Sequence, residues 1–172
     1  MSSSQATKIA GSAKPNAGRP TDAHMLAMGK LSYLAAFCPR HRKYPAEGLA
    51  RLFFPAINAD CVRFFENESG APVAALIWAR LTDAAVHRMV HEKTPPGSDD
   101  WAAGNNLWFL DLIAPFGHGA EVARHIARNP PAERFFFARI GPDGAVRKVV
   151  EGDATRGRRG LVQAMILQAE VA

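Results

Sequence analysis

Leu107 to Ala120 reads LWFLDLIAPFGHGA. An apolar run is interrupted by one carboxylate, Asp111, and then breaks at Pro115 and at the glycines Gly117 and Gly119. Apolar residues on both alternating faces mark a strand covered on both sides, so Leu107–Ala114 is expected at the centre of a sheet. Beyond the break, Val122, His125 and Ile126 recur at helical spacing, which predicts a helix over Gly117–Asn129.

Upstream, Thr21 and Asp22 both suit an N-cap, and the apolar positions from Met25 to Ala35 carry a helix to Phe37, which Pro39 ends. A second, short helix is expected to open with Pro45 at its first position and to stop at Pro55. Cys61–Glu66 and Pro72–Leu81 are β-type runs around a turn at Asn67–Gly70, a hairpin. Thr82 caps a helix through Val86, Met89 and Val90, and the stretch from Pro95 to Asp100 is a loop. Downstream, Glu133–Ile140 and Ala145–Val150 flank the turn Pro142-Asp143-Gly144 as a second hairpin, and Leu161–Val171 is expected to be a terminal helix. The order predicts an α/β (α+β) domain with a mixed central sheet flanked by helices.

The chain has 172 residues, 48% hydrophobic and 22% charged, enough for one domain with a sizeable core. Residues 1–20, rich in Ser, Ala, Gly and Pro, read as a flexible tail, and 21–172 as the folded domain. There is no run of roughly 18 uncharged apolar residues and no signal-type segment, so no membrane span and a cytoplasmic location are expected. Two cysteines, Cys38 and Cys61, fit reduced thiols. The net charge of +5 favours an acidic partner. The basic cluster Arg156–Gly160 has no interleaved aromatic residues, which argues against nucleic acid and for a solvated loop.

An ionised carboxylate inside a central strand has to be paired, hydrogen-bonded or shifted in pKa. Asp111 either accepts backbone or arginine hydrogen bonds that hold the strand, or belongs to a site. The backbone N–H groups of Gly117, His118, Gly119 and Ala120, at the positive end of a helix, suit an anion such as a phosphate, though an ordinary strand-to-helix turn looks the same. In CPRHRKYP, Cys38 to Pro45, His41 sits in a short connection bracketed by prolines, where a carboxylate-oriented histidine makes a competent general base.

PRHRKYP followed by WFLDLIAPFG resembles the toxin-activating lysine acyltransferases, which attach fatty acyl chains to internal lysines of RTX protoxins. That family carries His-Arg-x-Trp-Pro near the N-terminus, Trp-Ala after a strand and Trp-Phe-Ile-Asp-Trp-Ile-Ala-Pro-Phe in the middle. His41, Arg42, Tyr44 and Pro45, then Trp78 and Ala79, then Trp108 through Phe116 match in order, across residues 28 to 150. Cys38 stands where the family commonly has serine, Leu112 replaces a tryptophan, and Asn105 and Asn106 stand in place of Asp-Arg.

The resemblance implies a GCN5-related N-acetyltransferase-like fold, a catalytic pair at His41 and Asp111, and an acyl-acyl carrier protein as donor. His41 would take the proton of the target lysine while Asp111 orients its ring. Gly117, His118, Gly119 and Ala120 would hold the phosphate of phosphopantetheine, although the residue that opens that loop is Ala114 rather than arginine or glutamine. The acceptor would be an RTX-type toxin or adhesin, and the assembly a homodimer, with the edges of the Glu133–Val150 hairpin as one place for it to form.

Other readings remain open. Cys38, three residues before His41, is either a thiolate that becomes acylated or, as is commoner at a helix end, a small hydrophobe. His87 and His91 have the spacing of a zinc pair, but Arg88 stands where the HExxH motif needs Glu, and a solvated polar face explains them; no metal is expected. Trp78, Trp101 and Trp108 suit a core or pocket lining. The competing function class is a non-catalytic descendant that binds an acyl carrier or a client protein.

Overall fold

A computed structural model describes residues 20–129, 131, 134–140, 146–153 and 163–166. The expected tail, apart from Pro20, the Pro142-Asp143-Gly144 turn and the Arg156–Gly160 cluster lie outside the described residues. Helix α1 spans Asp22–Phe37, and its N-cap Thr21 accepts from the His24 N–H at 3.2 Å. Its C-cap is Cys38, followed by a single 3₁₀ turn at His41–Lys43. Helix α2 spans Ala46–Asn58 with Pro45 as its N-cap, so it begins one residue after the expected start and continues three residues past Pro55. Phe53, Ala56 and Ile57 are buried on both sides of that proline, and this packing holds the last turn together despite the N–H that Pro55 lacks.

Strands β1 (Val62–Glu66) and β2 (Pro72–Leu81) form the expected antiparallel hairpin. The Asn67 Oδ1 accepts from the N–H groups of Ser69 and Ala71 at 3.1 and 2.9 Å, while Gly70 takes φ +77°, a left-handed conformation that favours glycine. Helix α3 (Asp83–His91) is capped by Thr82, whose Oγ1 accepts from the Ala85 N–H at 3.2 Å. Then come β3 (Asn106–Ile113), α4 (Gly119–Arg128), β4 (Arg134–Ile140), β5 (Val146–Asp153) and β6 (Gln163–Ile166).

The strands lie in chain order, β1-β2-β3-β4-β5-β6, in one sheet that is antiparallel except at β3 and β4. Helix α4 is the crossover that this parallel pair requires. The central place expected for β3 is borne out, and so is the mixed α/β sheet with a GCN5-related N-acetyltransferase-like character. Cover is incomplete at Leu112, which is 36% exposed. Two expectations are corrected. Within Leu161–Val171, Gln163–Ile166 is a strand rather than helix, because it pairs with β5. For the same reason the β4–β5 hairpin is interior, and the sheet edges are β1 and β6.

The core joins Leu31, Leu34 and Ala35 of α1 and Phe53 and Ala56 of α2 to Ala75, Ile77, Ala79 and Leu81, alternate residues of β2. Fully burying one such Leu or Phe side chain is worth about 1.5–3 kcal/mol. Register shifts between Ile77 and Trp78: Ile77 faces Asp111 and Trp78 faces Phe109, leaving Leu110 as an extra residue in β3. Such a bulge bends a strand and re-aims its neighbours. Here its neighbour is Asp111.

Candidate active site

Asp111 is 9% exposed and His41 1%, the two buried polar residues of the described chain. Separated by 70 positions in sequence, they meet: His41 Nε2 lies 2.7 Å from Asp111 Oδ2. The bulged strand supplies the carboxylate. The imidazole comes from the tight turn after α1, where Arg42 N–H bonds to Cys38 O at 3.0 Å and Tyr44 N–H to His41 O at 2.9 Å. Tyr44 covers the ring edge-on, centroids 5.6 Å apart.

Arg40 completes the surroundings of the carboxylate. Its Nη2 donates to both Asp111 oxygens at 2.6 Å and lies 3.3 Å from His41 Nε2. Thus the two explanations open for a buried Asp111, arginine bonding and pairing with a histidine, hold together. The sequence reading passed over Arg40, and its signal was adjacency to His41 in PRHR. Burial pulls the imidazole pKa down, but the hydrogen bond and negative charge of Asp111 outweigh it and hold His41 above the ordinary histidine value.

The second ring nitrogen is also engaged, since His41 Nδ1 lies 2.9 Å from Cys38 Sγ. Burial pushes the Cys38 thiol up, but the His41 side chain and the backbone N–H groups of His41 and Arg40 outweigh it, leaving the thiol below its ordinary value. Cys61, buried without such partners, is pushed up by burial.

Beside the pair lies an apolar cavity of about 610 Å³. Arg40 and Asp111 line it together with Leu76, Phe109, Ile126 and Phe135, among others. It lies where the strands part: among the described residues, β3 and β4 pair from Leu107–Phe135 to Phe109–Phe137, and the rest of β3 has no parallel neighbour there. Ala123, Ile126 and Ala127 of α4 form one wall. A volume in the range of 300–1,000 Å³ and an apolar lining with few polar groups suit a small apolar ligand.

Gly117, His118, Gly119 and Ala120 join β3 to α4. Gly117 has φ +86° with open space around an added Cβ, so glycine is favoured there by backbone conformation alone. His118 caps α4, and its Nδ1 is buried without a hydrogen-bond partner among the described residues. Phe116 packs on Phe37 and Tyr33 of α1, centroids 5.7 and 6.4 Å apart, which ties the loop to the helix end that leads into Cys38 and His41. The loop itself makes no hydrogen bond to the His41–Asp111 pair among the described residues. On α3, the His87 and His91 rings lie tilted with centroids 4.8 Å apart and His87 Nδ1 lies 3.3 Å from Glu92, while no group of three potential metal ligands occurs among the described residues. Trp101 and Trp108 are core residues, and Trp78, partly buried, packs against the core.

Residues 21–152 match the RTX toxin acyltransferase family. The RTX-I toxin-activating lysine-acyltransferase ApxIC of Actinobacillus pleuropneumoniae is 35% identical over 124 residues, covering 72% of each chain. The protein-lysine myristoyltransferase HlyC of Escherichia coli is 32% identical, covering 72% of this chain and 71% of its own. The leukotoxin-activating lysine-acyltransferase LtxC of Aggregatibacter actinomycetemcomitans is 29% identical, covering 72% and 73%. With a matched segment that contains His41, Asp111, the cavity and the loop into α4, the chain is an acyltransferase and belongs to the RTX toxin acyltransferase family.

Proposed function

We propose that the chain is a protein-lysine N-acyltransferase that moves a fatty acyl group from the phosphopantetheine thioester of an acyl carrier protein to internal lysines of an RTX-type toxin or adhesin. The observation that carries this reading is the buried His41–Asp111 contact at the polar end of an apolar cavity. The acyl chain occupies the cavity, whose polar end is formed by Arg40 and Asp111. His41 accepts the proton released when the lysine amine becomes an amide, and Asp111 orients the ring and offsets the imidazolium charge. Arg40 in turn offsets the charge of Asp111.

Gly117, His118, Gly119 and Ala120 hold the phosphate of phosphopantetheine at the amino end of α4, with the unpartnered His118 Nδ1 as a further contact. The net charge of +5 suits an acidic carrier. No helix among the described residues is long and apolar enough to cross a membrane, and acyl transfer from a carrier protein places the enzyme in the cytoplasm. Residues 21–172 act as a single acyltransferase domain that works as a homodimer; a monomer mass in solution scattering would refute that assembly.

Co-expression with an RTX-type acceptor and mass spectrometry of its lysines tests the activity. The wild type is expected to add a fatty acyl mass, and His41→Ala or Asp111→Ala to lower transfer by on the order of 10²–10⁴-fold while the protein stays folded. Undiminished transfer by either variant rejects the roles. Absence of any mass shift with the wild type would instead favour a non-catalytic binder.

A further inference from the structure

Both nitrogens of the His41 ring are engaged. Nε2 faces Asp111 at 2.7 Å and Nδ1 faces Cys38 Sγ at 2.9 Å. With the carboxylate accepting from Nε2–H, the neutral ring presents a bare lone pair at Nδ1, and the group placed to give it a proton is the Cys38 thiol. Burial orders the three residues from inside to outside: His41 is 1% exposed, Asp111 9%, and Cys38 only half-buried. In the line Asp111–His41–Cys38 the sulfur is therefore the more exposed end. With Nε2 held by Asp111, the ring exchanges protons on its Nδ1 side, where the Cys38 sulfur lies. The apolar platform of Tyr33, Phe37 and Phe116 adjoins Cys38 at the end of α1, 44–53% exposed.

We propose that Cys38 is the nucleophile that carries the acyl group between donor and lysine. The inference rests on the acyltransferase reading above and adds a covalent intermediate to it. The carboxylate, base and thiol have the arrangement of an activated nucleophile, with the base oriented by a third group. The lowered thiol and raised imidazole agree with a thiolate–imidazolium pair.

In the first step the Cys38 thiolate attacks the carbonyl carbon of the donor thioester. The carbon–sulfur bond to the donor breaks, the departing thiolate takes the proton from the His41 imidazolium, and a Cys38 thioester remains. One thioester replaces another, so no outside energy source is required. In the second step a neutral lysine amine attacks the Cys38 thioester, the new carbon–sulfur bond breaks, and the proton lost by the amine goes to His41 Nδ1. The amide leaves, and the thiolate–imidazolium pair is restored.

The full chain, incubated with a tetradecanoyl thioester of pantetheine and no acceptor, then quenched in acid, is expected to carry one tetradecanoyl mass on the Cys38 peptide. Neutral hydroxylamine removes it. It is absent in Cys38→Ala and at least about tenfold weaker in His41→Ala. Cys38→Ala that acylates an acceptor as fast as the wild type, or a label on another residue, overturns the proposal. A readout without acyl transfer stands beside it: iodoacetamide should alkylate Cys38 at neutral pH at least about tenfold faster than Cys61, and His41→Ala should abolish the difference. Equal alkylation of the two thiols also overturns the proposal. A chain that forms the Cys38 thioester but passes it to no lysine upholds this inference and rejects the lysine acyltransferase reading, so the two failures are separable.

Discussion

Three short contacts converge on Asp111, two from Arg40 and one from His41, and the two charges act on His41 in opposite directions. Asp111 raises the imidazole pKa while the nearby Arg40 charge lowers it. Titration of the His41 ring by NMR should therefore show a lower pKa in Asp111→Asn and a higher one in Arg40→Ala; shifts of the other sign would refute the assignment. The linkage to stability follows from the raised folded value. The His41 contribution is full below the unfolded pKa of about 6.5 and is lost as the pH rises through the folded value. The unfolding free-energy gap between wild type and Asp111→Asn is expected to be widest near pH 6.5 and to narrow at higher pH. Chemical denaturation across that range measures it, and a gap that grew with pH would be the contrary result. Near pH 6.5 the gap includes the cost of leaving one member of a buried pair without its partner, on the order of 3–5 kcal/mol.

At the scale of elements, Gly152 and Phe135 show how the sheet shapes the cavity. They face each other across β4 and β5, and a Cβ on Gly152 would stand 2.2 Å from the Phe135 ring. Gly152→Ala must push that ring toward the cavity it lines, at about 1–3 kcal/mol of overpacking. Acyl donors of graded length, assayed with this variant, are expected to show a shorter longest-accepted chain; an unchanged length profile would mean that Phe135 does not bound the chain. Much of this framework was readable in the chain. Thr21 and Thr82 caps, the Asn67–Gly70 turn and the doubly apolar β3 are local signals, and each gave the right element. The failures came where distant pairing or packing overrode local preference. Gln163–Ile166 is rich in helix formers, yet the free edge of β5 takes it as a strand. Helix α2 passes Pro55 because Ala56 and Ile57 are buried beyond it.

The site followed the same rule. Asp111 was legible as a charge that needed a partner, and His41 as a histidine that needed orienting; their meeting across 70 residues came only through the family likeness. The Leu110 bulge that adjusts Asp111 leaves no mark in composition or period. Cys38 and His41 are three residues apart, one at the C-cap of α1 and the other opening the next turn, so their contact was latent in the spacing.

At the scale of the whole molecule, the short parallel seam between β3 and β4 divides the sheet into two antiparallel leaves, β1-β2-β3 and β4-β5-β6. Among the described residues, β2 and β3 pair from Ala75–Ile113 to Leu81–Asn106 and β4 and β5 from Arg134–Asp153 to Ile140–Val146, whereas the seam runs only from Leu107–Phe135 to Phe109–Phe137. The leaves are sutured, and the suture opens where the cavity begins. A chain seated there touches Leu76 of one leaf and Phe135 and Phe137 of the other, and so acts as mortar between them. In the empty protein, hydrogen exchange is expected to show the leaves as separate cooperative units with different opening free energies. Saturation with a fatty acyl thioester at about 100 times its Kd adds about 2.7 kcal/mol to the filled state and should draw the two protection levels together. Leaves that exchange alike when empty, or that stay apart when filled, would contradict this. Substrate, on this reading, is also a structural element: the enzyme is most nearly one body while it is loaded, and delivering the acyl group loosens it again.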